Sequence, residues 1–247
     1  MDKLTLLNQI DAKKVIINSK KPFPPHTLAS LREKLLVEWT YHSNAIEGNT
    51  LTLSETKVVL EGITVGGKKL REHLEVINHK DAILYIEDII TNHEELSEWQ
   101  IKNIHSIVLK GILPENAGVY RKENVFISGA EHIPIEYMQV PGQMTELIEW
   151  YRGDAQHLHA VERAAILHSQ FVKIHPFVDG NGRTARLLLN LELMKDGYVP
   201  IIIKKEQRLS YYNALDVSHI NGEHSLFIEF VAQILDSTLD FYNQYIY

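Results

Sequence analysis

Apolar positions recur at helical spacing along most of the chain. Leu28, Leu31, Leu35, Leu36 and Trp39 mark a helix from Thr27 to about Ile46. Glu47-Gly48-Asn49 ends it, because glycine enters the left-handed region cheaply. Thr52-Leu-Ser-Glu55 is a capping box that opens a short second helix, and 62–67 is a loop. A long helix is expected from about Lys69 to Asn92. A second capping box, Ser97-Glu-Trp-Gln100, starts a helix that Gly111 ends. Further helical patterns run over about 141–152, 159–174, 183–196, 205–218 and 225–244. One segment differs: Val125-Phe-Ile127 and Ile133-Pro-Ile135 flank Ser128-Gly-Ala-Glu131, which suggests a hairpin. Pro134 cannot donate to a ladder, so its strand must be an edge. Residues 1–25 are weakly patterned and end in Lys21-Pro-Phe-Pro-Pro25, which reads as an arm closed by a turn. The expected fold is all-α, mainly helical, with one short β-hairpin. An N-terminal arm (1–26) precedes a single domain (27–247).

Composition narrows the function. The chain has 247 residues and a net charge of −7. An acidic chain lacks the basic face that nucleic-acid binding requires, so no nucleic-acid partner is expected. There is no cysteine, which excludes disulfides, thiolate catalysis and thiolate zinc sites. No apolar run is long enough to span a membrane. Met1-Asp-Lys-Leu-Thr5 opens no signal-peptide pattern, so the cytoplasm is the expected compartment. Thirteen histidines raise the question of a metal, but His73/His79 and His157/His159 lack the spacing of helical zinc sites.

Two phosphate-loop patterns fail on context. Gly62 to Lys69 resembles a Walker A loop, but Lys69 stands where Ser or Thr should hold magnesium. Gly180-Asn-Gly-Arg-Thr-Ala185 matches a dinucleotide fingerprint, but the residues before it read as helix, not strand.

The same segment supports a more specific chemistry. Residues 175–186 read His-Pro-Phe-Val-Asp-Gly-Asn-Gly-Arg-Thr-Ala-Arg. Gly180 and Gly182 allow a turn that presents N–H groups in one direction, and a helix follows at once. Its positive end and that turn together make an anion site. Arg183 and Arg186, three apart, can converge on a polyphosphate. Asp179 is a hard oxygen ligand suited to Mg²⁺. His175, as neutral imidazole, can take a proton from a hydroxyl. Together they suggest phosphoryl or nucleotidyl transfer.

This run resembles the signature of the Fic family, His-x-Phe-x-(Asp/Glu)-Gly-Asn-Gly-Arg-x-x-Arg, at every fixed position. The resemblance extends over roughly residues 27 to 240 and implies a Fic-type helical bundle. It implies transfer of AMP from Mg-ATP to a Ser, Thr or Tyr hydroxyl of a target protein. His175, Asn181 and Arg183 would then be catalytic. Gly180, Asn181, Gly182, Arg183, Arg186 and Tyr212 would bind the nucleotide, and Asp179 would bind Mg²⁺. Lys205-Glu-Gln-Arg208 with Tyr211-Tyr212 looks like the family's nucleotide-side helix. His219 stands where relatives often carry Asn.

Ser43-Asn-Ala-Ile-Glu47-Gly48 resembles the family's inhibitory helix, here within 27–48. Ser43, Glu47 and Gly48 are its marked positions. A carboxylate on Arg186 would occupy the group that should orient the γ-phosphate, leaving bound ATP misaligned for attack. The hairpin at about 123–136 resembles the family's flap, with Ile127, Ser128, Gly129 and Ile133 expected to hold an extended target segment by β-augmentation. The family resemblance also allows a homodimer. Removal of AMP from a modified protein, transfer of another nucleotide, and a non-catalytic binding or antitoxin module stand as alternatives.

Overall fold

The computed structural model describes residues 2–127 and 132–245. Ten α-helices occur among them: α1 Lys3–Ser19, α2 Pro25–Ile46, α3 Leu53–Leu60, α4 Leu70–Thr91, α5 Glu98–Val108, α6 Val140–Arg152, α7 Ala160–Ile174, α8 Asn181–Lys195, α9 Arg208–Asn221 and α10 Ser225–Tyr245. No helix of the described residues is long and apolar enough to cross a membrane.

α8 is the central helix. From Arg183 to Leu193 every residue is buried, so it has no solvent face. Its polar residues have partners. The Asn190 side chain donates to the Ile201 carbonyl and accepts from the Ile201 N–H, both at 2.8 Å. Glu192 accepts from Tyr151 Oη at 2.9 Å and pairs with Arg163 at 3.1 Å. One apolar core joins α1, α9 and α10 to one side of α7 and α8. A second joins α4, α5 and α6 to the other side.

Caps explain the end of α2 and the start of α3. Thr52 accepts from the Glu55 N–H at 3.2 Å, and Glu55 accepts from the Thr52 N–H at 2.7 Å. Gly48, at φ 94°, ends the turn after α2. At α5 the expected capping box does not form. The Ser97 hydroxyl bonds to the Gln100 side chain instead of capping the backbone.

Two segments differ from the sequence reading. Residues 3–19, read as part of an arm, form α1, which packs along α10 through Leu6, Leu7, Ile10 and Ile17. Asp2 caps it by accepting from the Thr5 N–H at 3.0 Å. Lys13 pairs with Asp236 at 2.6 Å and Asp240 at 2.7 Å. The expected hairpin also differs: among the described residues there is no strand. Its arms, 122–127 and 132–136, are irregular chain, and Ser128 and Gly129 lie outside the described residues. Several backbone groups of these arms and their flanks bond to side chains. Arg121 bonds the carbonyls of Glu123 and Ile135, and Asn124 accepts from the Tyr137 N–H. Pro134 removes a further donor.

Candidate active site

The site is built where α7 ends and α8 begins. His175 closes α7 in the left-handed conformation, with φ 52° and ψ 59°, and its N–H still donates to the Phe171 carbonyl at 3.0 Å. A side chain at positive φ is uncommon, and here it turns the chain sharply out of the helix. Phe177 then enters the core and is fully buried. Asn181 braces the loop from α8. Its amide donates to the Phe177 carbonyl at 2.8 Å, and its oxygen accepts the Phe177 N–H at 3.0 Å. Gly180 at φ 78° completes the turn, and a Cβ there would press on the His105 ring. The N–H groups of Asn181, Gly182 and Arg183 open α8, with no helical carbonyl ahead of them. That end of the helix favours an anion.

An anionic side chain is already there. Glu47, the C-cap of α2, lays its carboxylate over Gly182 so closely that a Cβ at 182 would collide with it. The Glu47 Oε1 accepts from Arg186 Nη2 at 2.8 Å. Arg186 is buried, donating from Nε to the Ser43 hydroxyl at 3.0 Å and from Nη2 to the Ser43 carbonyl at 2.8 Å. Burial would lower the Arg186 pKa, but the Glu47 carboxylate outweighs it and holds the group firmly charged. The residues expected at the inhibitory helix therefore meet Arg186 of the motif, 139 positions away in sequence.

Arg183 takes a different set of partners. Its Nη2 donates to Asp179 Oδ1 at 3.2 Å, and its Nη1 lies 3.5 Å from Glu75 Oε1. Arg71 Nε donates to that same Glu75 oxygen at 3.0 Å, and Arg71 also pairs with Asp179 Oδ2. Two carboxylates and two guanidiniums thus form a closed ring. Burial would raise the Asp179 pKa, but Arg183, the Gly180 N–H and Arg71 hold the carboxyl below its usual range. A permanently ionised oxygen that already attracts cations fits Mg²⁺, which needs only one or two carboxylates beside substrate phosphates.

His175 is kept neutral. Burial pushes its pKa down to about 4; the Arg121 charge assists, while the Val172 carbonyl, Glu47 and Asp179 oppose. A neutral ring can accept a proton at pH 7.

Tyr212 is half-buried on α9, its ring 5.3 Å from the Arg208 guanidinium. The segment before α9 is tied to α2, because the Lys205 N–H donates to His42 Nδ1 at 3.1 Å. His219 is buried and hydrogen-bonded to the Ser169 carbonyl at 2.9 Å. Ile127 is half-exposed and Ile133 is 67% exposed, so Ile133 is free to contact another chain.

Sequence reasoning missed Arg71, Glu75, His105 and Arg121. His105 lies flat on Phe177, with ring centroids 3.6 Å apart. Its Nδ1 accepts the Gly118 N–H at 2.9 Å, so Nε2 carries the proton and donates to the Asp179 carbonyl at 2.8 Å. A lone histidine or arginine on a helix or loop carries no spacing signal. Arg71 and Glu75, at i and i+4, look like any solvated helix pair.

The model of the Fic/DOC family matches residues 95–193. A relative named protein adenylyltransferase Fic, from Nematostella vectensis, is 39% identical over 242 residues, which is 96% of this chain and 55% of the relative. A second of that name, from Drosophila willistoni, is 35% identical and 47% covered. The chain spans about half the length of these curated relatives. Among solved structures, a Fic-1 fragment from C. elegans superposes with a TM-score of 0.87 at 33% identity, covering 97% of this chain and 71% of that one. A Fic domain containing signaling protein from Bacteroides thetaiotaomicron gives 0.86 at 30% identity, with 97% and 96% covered. Sequence identity at this level, over almost the whole length of the bacterial structure and on one shared helical frame, means that this chain belongs to the Fic/DOC family.

Proposed function

We propose that the chain is a self-inhibited protein adenylyltransferase that moves AMP from Mg-ATP to a Ser, Thr or Tyr hydroxyl of a target protein. One observation carries the self-inhibited form of this reading: Glu47 holds Arg186 while lying over Gly182 at the start of α8. The names of the relatives support the transfer of AMP.

In this reading, neutral His175 takes the target's hydroxyl proton as its oxygen attacks the α-phosphorus. The bond from that phosphorus to the pyrophosphate breaks, and pyrophosphate leaves. The first N–H groups of α8 stabilise the charge that develops on the α-phosphate. Arg183 and Arg186 orient the outer phosphates, and Tyr212 packs near the base. Asp179 would hold Mg²⁺, which when bound neutralises phosphate charge. Asn181 shapes the loop from within, since its amide is taken up by Phe177. With Glu47 on Arg186, the γ-phosphate loses its guanidinium and the α-phosphate is not aligned for attack. The irregular arms around Ile127 and Ile133 would receive the target segment. Residues 27–247 would act as one Fic-type domain, with residues 1–26 an addition to it.

A second reading has one observation behind it. The Glu47 carboxylate lies over Gly182 at the start of α8, where a phosphate would sit. It could orient a water for release of AMP from a modified protein.

The test is incubation of wild type, Glu47→Gly and Glu47→Gly/His175→Ala with labelled ATP and Mg²⁺, read by intact mass. One added AMP in Glu47→Gly alone is the expected result. Losing the charged hydrogen bond from Arg186 removes about 1.5–3 kcal/mol of restraint, a rate increase of roughly 10- to 150-fold. Equal transfer by wild type and Glu47→Gly would sink the inhibitory role. If Glu47→Gly also destroys AMP release, the second reading is added to the first.

A further inference from the structure

Arg121 lies outside the motif and outside the inhibitory helix, yet it touches both halves of the site. It is only 3% exposed. Its Nε donates to the His175 carbonyl at 2.9 Å, and its Nη2 lies 3.5 Å from the Ile174 carbonyl. Its Nη1 donates to the Glu123 carbonyl at 3.0 Å, and Nη2 also reaches the Ile135 carbonyl. Its own N–H donates to the Pro176 carbonyl at 2.9 Å. Every one of these acceptors is a main-chain carbonyl. Of the four that the side chain holds, two belong to the end of α7, where carbonyls lack helical partners and the helix end is negative. The other two come from opposite arms of the 122–136 segment.

This arrangement uses properties specific to arginine. A guanidinium presents five donors in a rigid plane, so one side chain can hold carbonyls that diverge from each other. A lysine would carry the same charge without the fork. His175 sits at positive φ: its N–H is still held by the Phe171 carbonyl, but its own carbonyl points out of the helical ladder to Arg121. The arms lack strand pairing, so side chains must set their position.

We propose that Arg121 is a positioning residue that fixes the main chain of His175 and both arms of the 122–136 segment in one register. The base and the surface that presents a hydroxyl to it would then be aligned by a single group. The consequence for rate rests on the AMP-transfer reading; the structural coupling does not.

The test uses the full chain carrying Glu47→Gly, with Arg121→Lys and Arg121→Gln added separately. Hydrogen exchange by mass spectrometry reports the arms, calorimetry reports ATP affinity, and AMP transfer is followed across pH. In both variants, exchange should rise together in 122–127 and 132–136 while α4 and α10 stay protected. ATP affinity should hold, and the transfer rate should fall on the order of 100-fold, as for a displaced base. The pH profile separates charge from geometry. The charged groups that act on the His175 ring are Arg121, Glu47 and Asp179. Here Glu47 is removed, so loss of the Arg121 charge raises the ring's pKa. Arg121→Gln should therefore shift the acid limb upward, and Arg121→Lys should leave it in place while remaining slow.

Unchanged exchange in the arms, exchange rising evenly over the whole chain, full activity in Arg121→Lys, or loss of cooperative unfolding in both variants would each overturn the proposal. If the Glu47→Gly parent transfers no AMP, the functional reading fails, and the exchange data alone decide the role of Arg121.

Discussion

At the scale of single residues, burial and charge set the chemistry together. Arg186 and Arg183 stand one helical turn apart on α8, but they answer to different carboxylates. Arg186 faces Glu47 of α2; Arg183 faces Asp179 and Glu75. The first pairing keeps a buried guanidinium charged, and the second keeps a carboxyl ionised. His175 shows the same principle with the opposite sign. Its pKa is about 4, so the neutral form prevails through neutrality. The rate of AMP transfer by the Glu47→Gly protein is then expected to stay level from neutral pH down to about pH 5 and to fall only as the pH approaches 4. Initial rates across that range check it. A fall centred near 6.5, the ordinary histidine value, would mean that the ring is solvated in the working enzyme. The motif and the Glu47 segment were legible because their members lie within a few positions of one another. Arg71, Glu75, His105 and Arg121 were not, since each gains its role only from a contact with a distant segment.

At the scale of elements, legibility followed the strength of local signals. The end of α2 was marked by Gly48 and the start of α3 by the Thr52–Glu55 capping box, which act within one turn. α1 was hidden. Leu4, Val15 and Ile16 are exposed, while Leu6, Leu7, Ile10 and Ile17 are buried, so apolar residues fall on both faces and blur the stripe. Only α10 decides which face is inside. Ile10 is fully buried in that seam. Ile10→Ala should cost about 2–5 kcal/mol in chemical denaturation. Below the melting transition it should leave AMP transfer by the Glu47→Gly protein unchanged. A cost near zero would mean that α1 is not part of the cooperative unit. The 122–136 segment erred the other way: two short apolar runs around a Gly-containing turn suggested pairing, but its described arms carry no strand, and Arg121 and Asn124 bond their backbone groups.

At the scale of the whole molecule, the histidines couple folding to pH. Burial holds His79 and His168 well below the ordinary value, and His105 and His219 at about 4. Each is neutral when folded and takes up a proton more readily when unfolded. Their contribution to stability is therefore complete above about pH 6.5 and is lost as pH falls toward the folded values. The slope is up to about 1.4 kcal/mol per pH unit for each group. Down to about pH 5 ordinary carboxylates remain ionised, so that window reports the histidines. Urea midpoints should drop markedly from pH 7 to pH 5, and His168→Phe should show a smaller drop. Equal midpoints for the wild type at the two values would show that these rings are not neutral inside the fold.

The linear chain by itself determined the helical class and most helix limits, and it singled out residues 175–186 and the separate Ser43–Gly48 segment as candidates for the site. These are encoded by periodicity, caps and short spacings, which act over a turn or two of chain. Only the tertiary structure decided that Glu47 rests on Gly182 and Arg186, that α1 is a helix against α10, and that Arg121 bonds carbonyls of both 122–127 and 132–136. Those outcomes depend on which distant groups become neighbours once the cores close, and on the need of every buried polar group for a partner there.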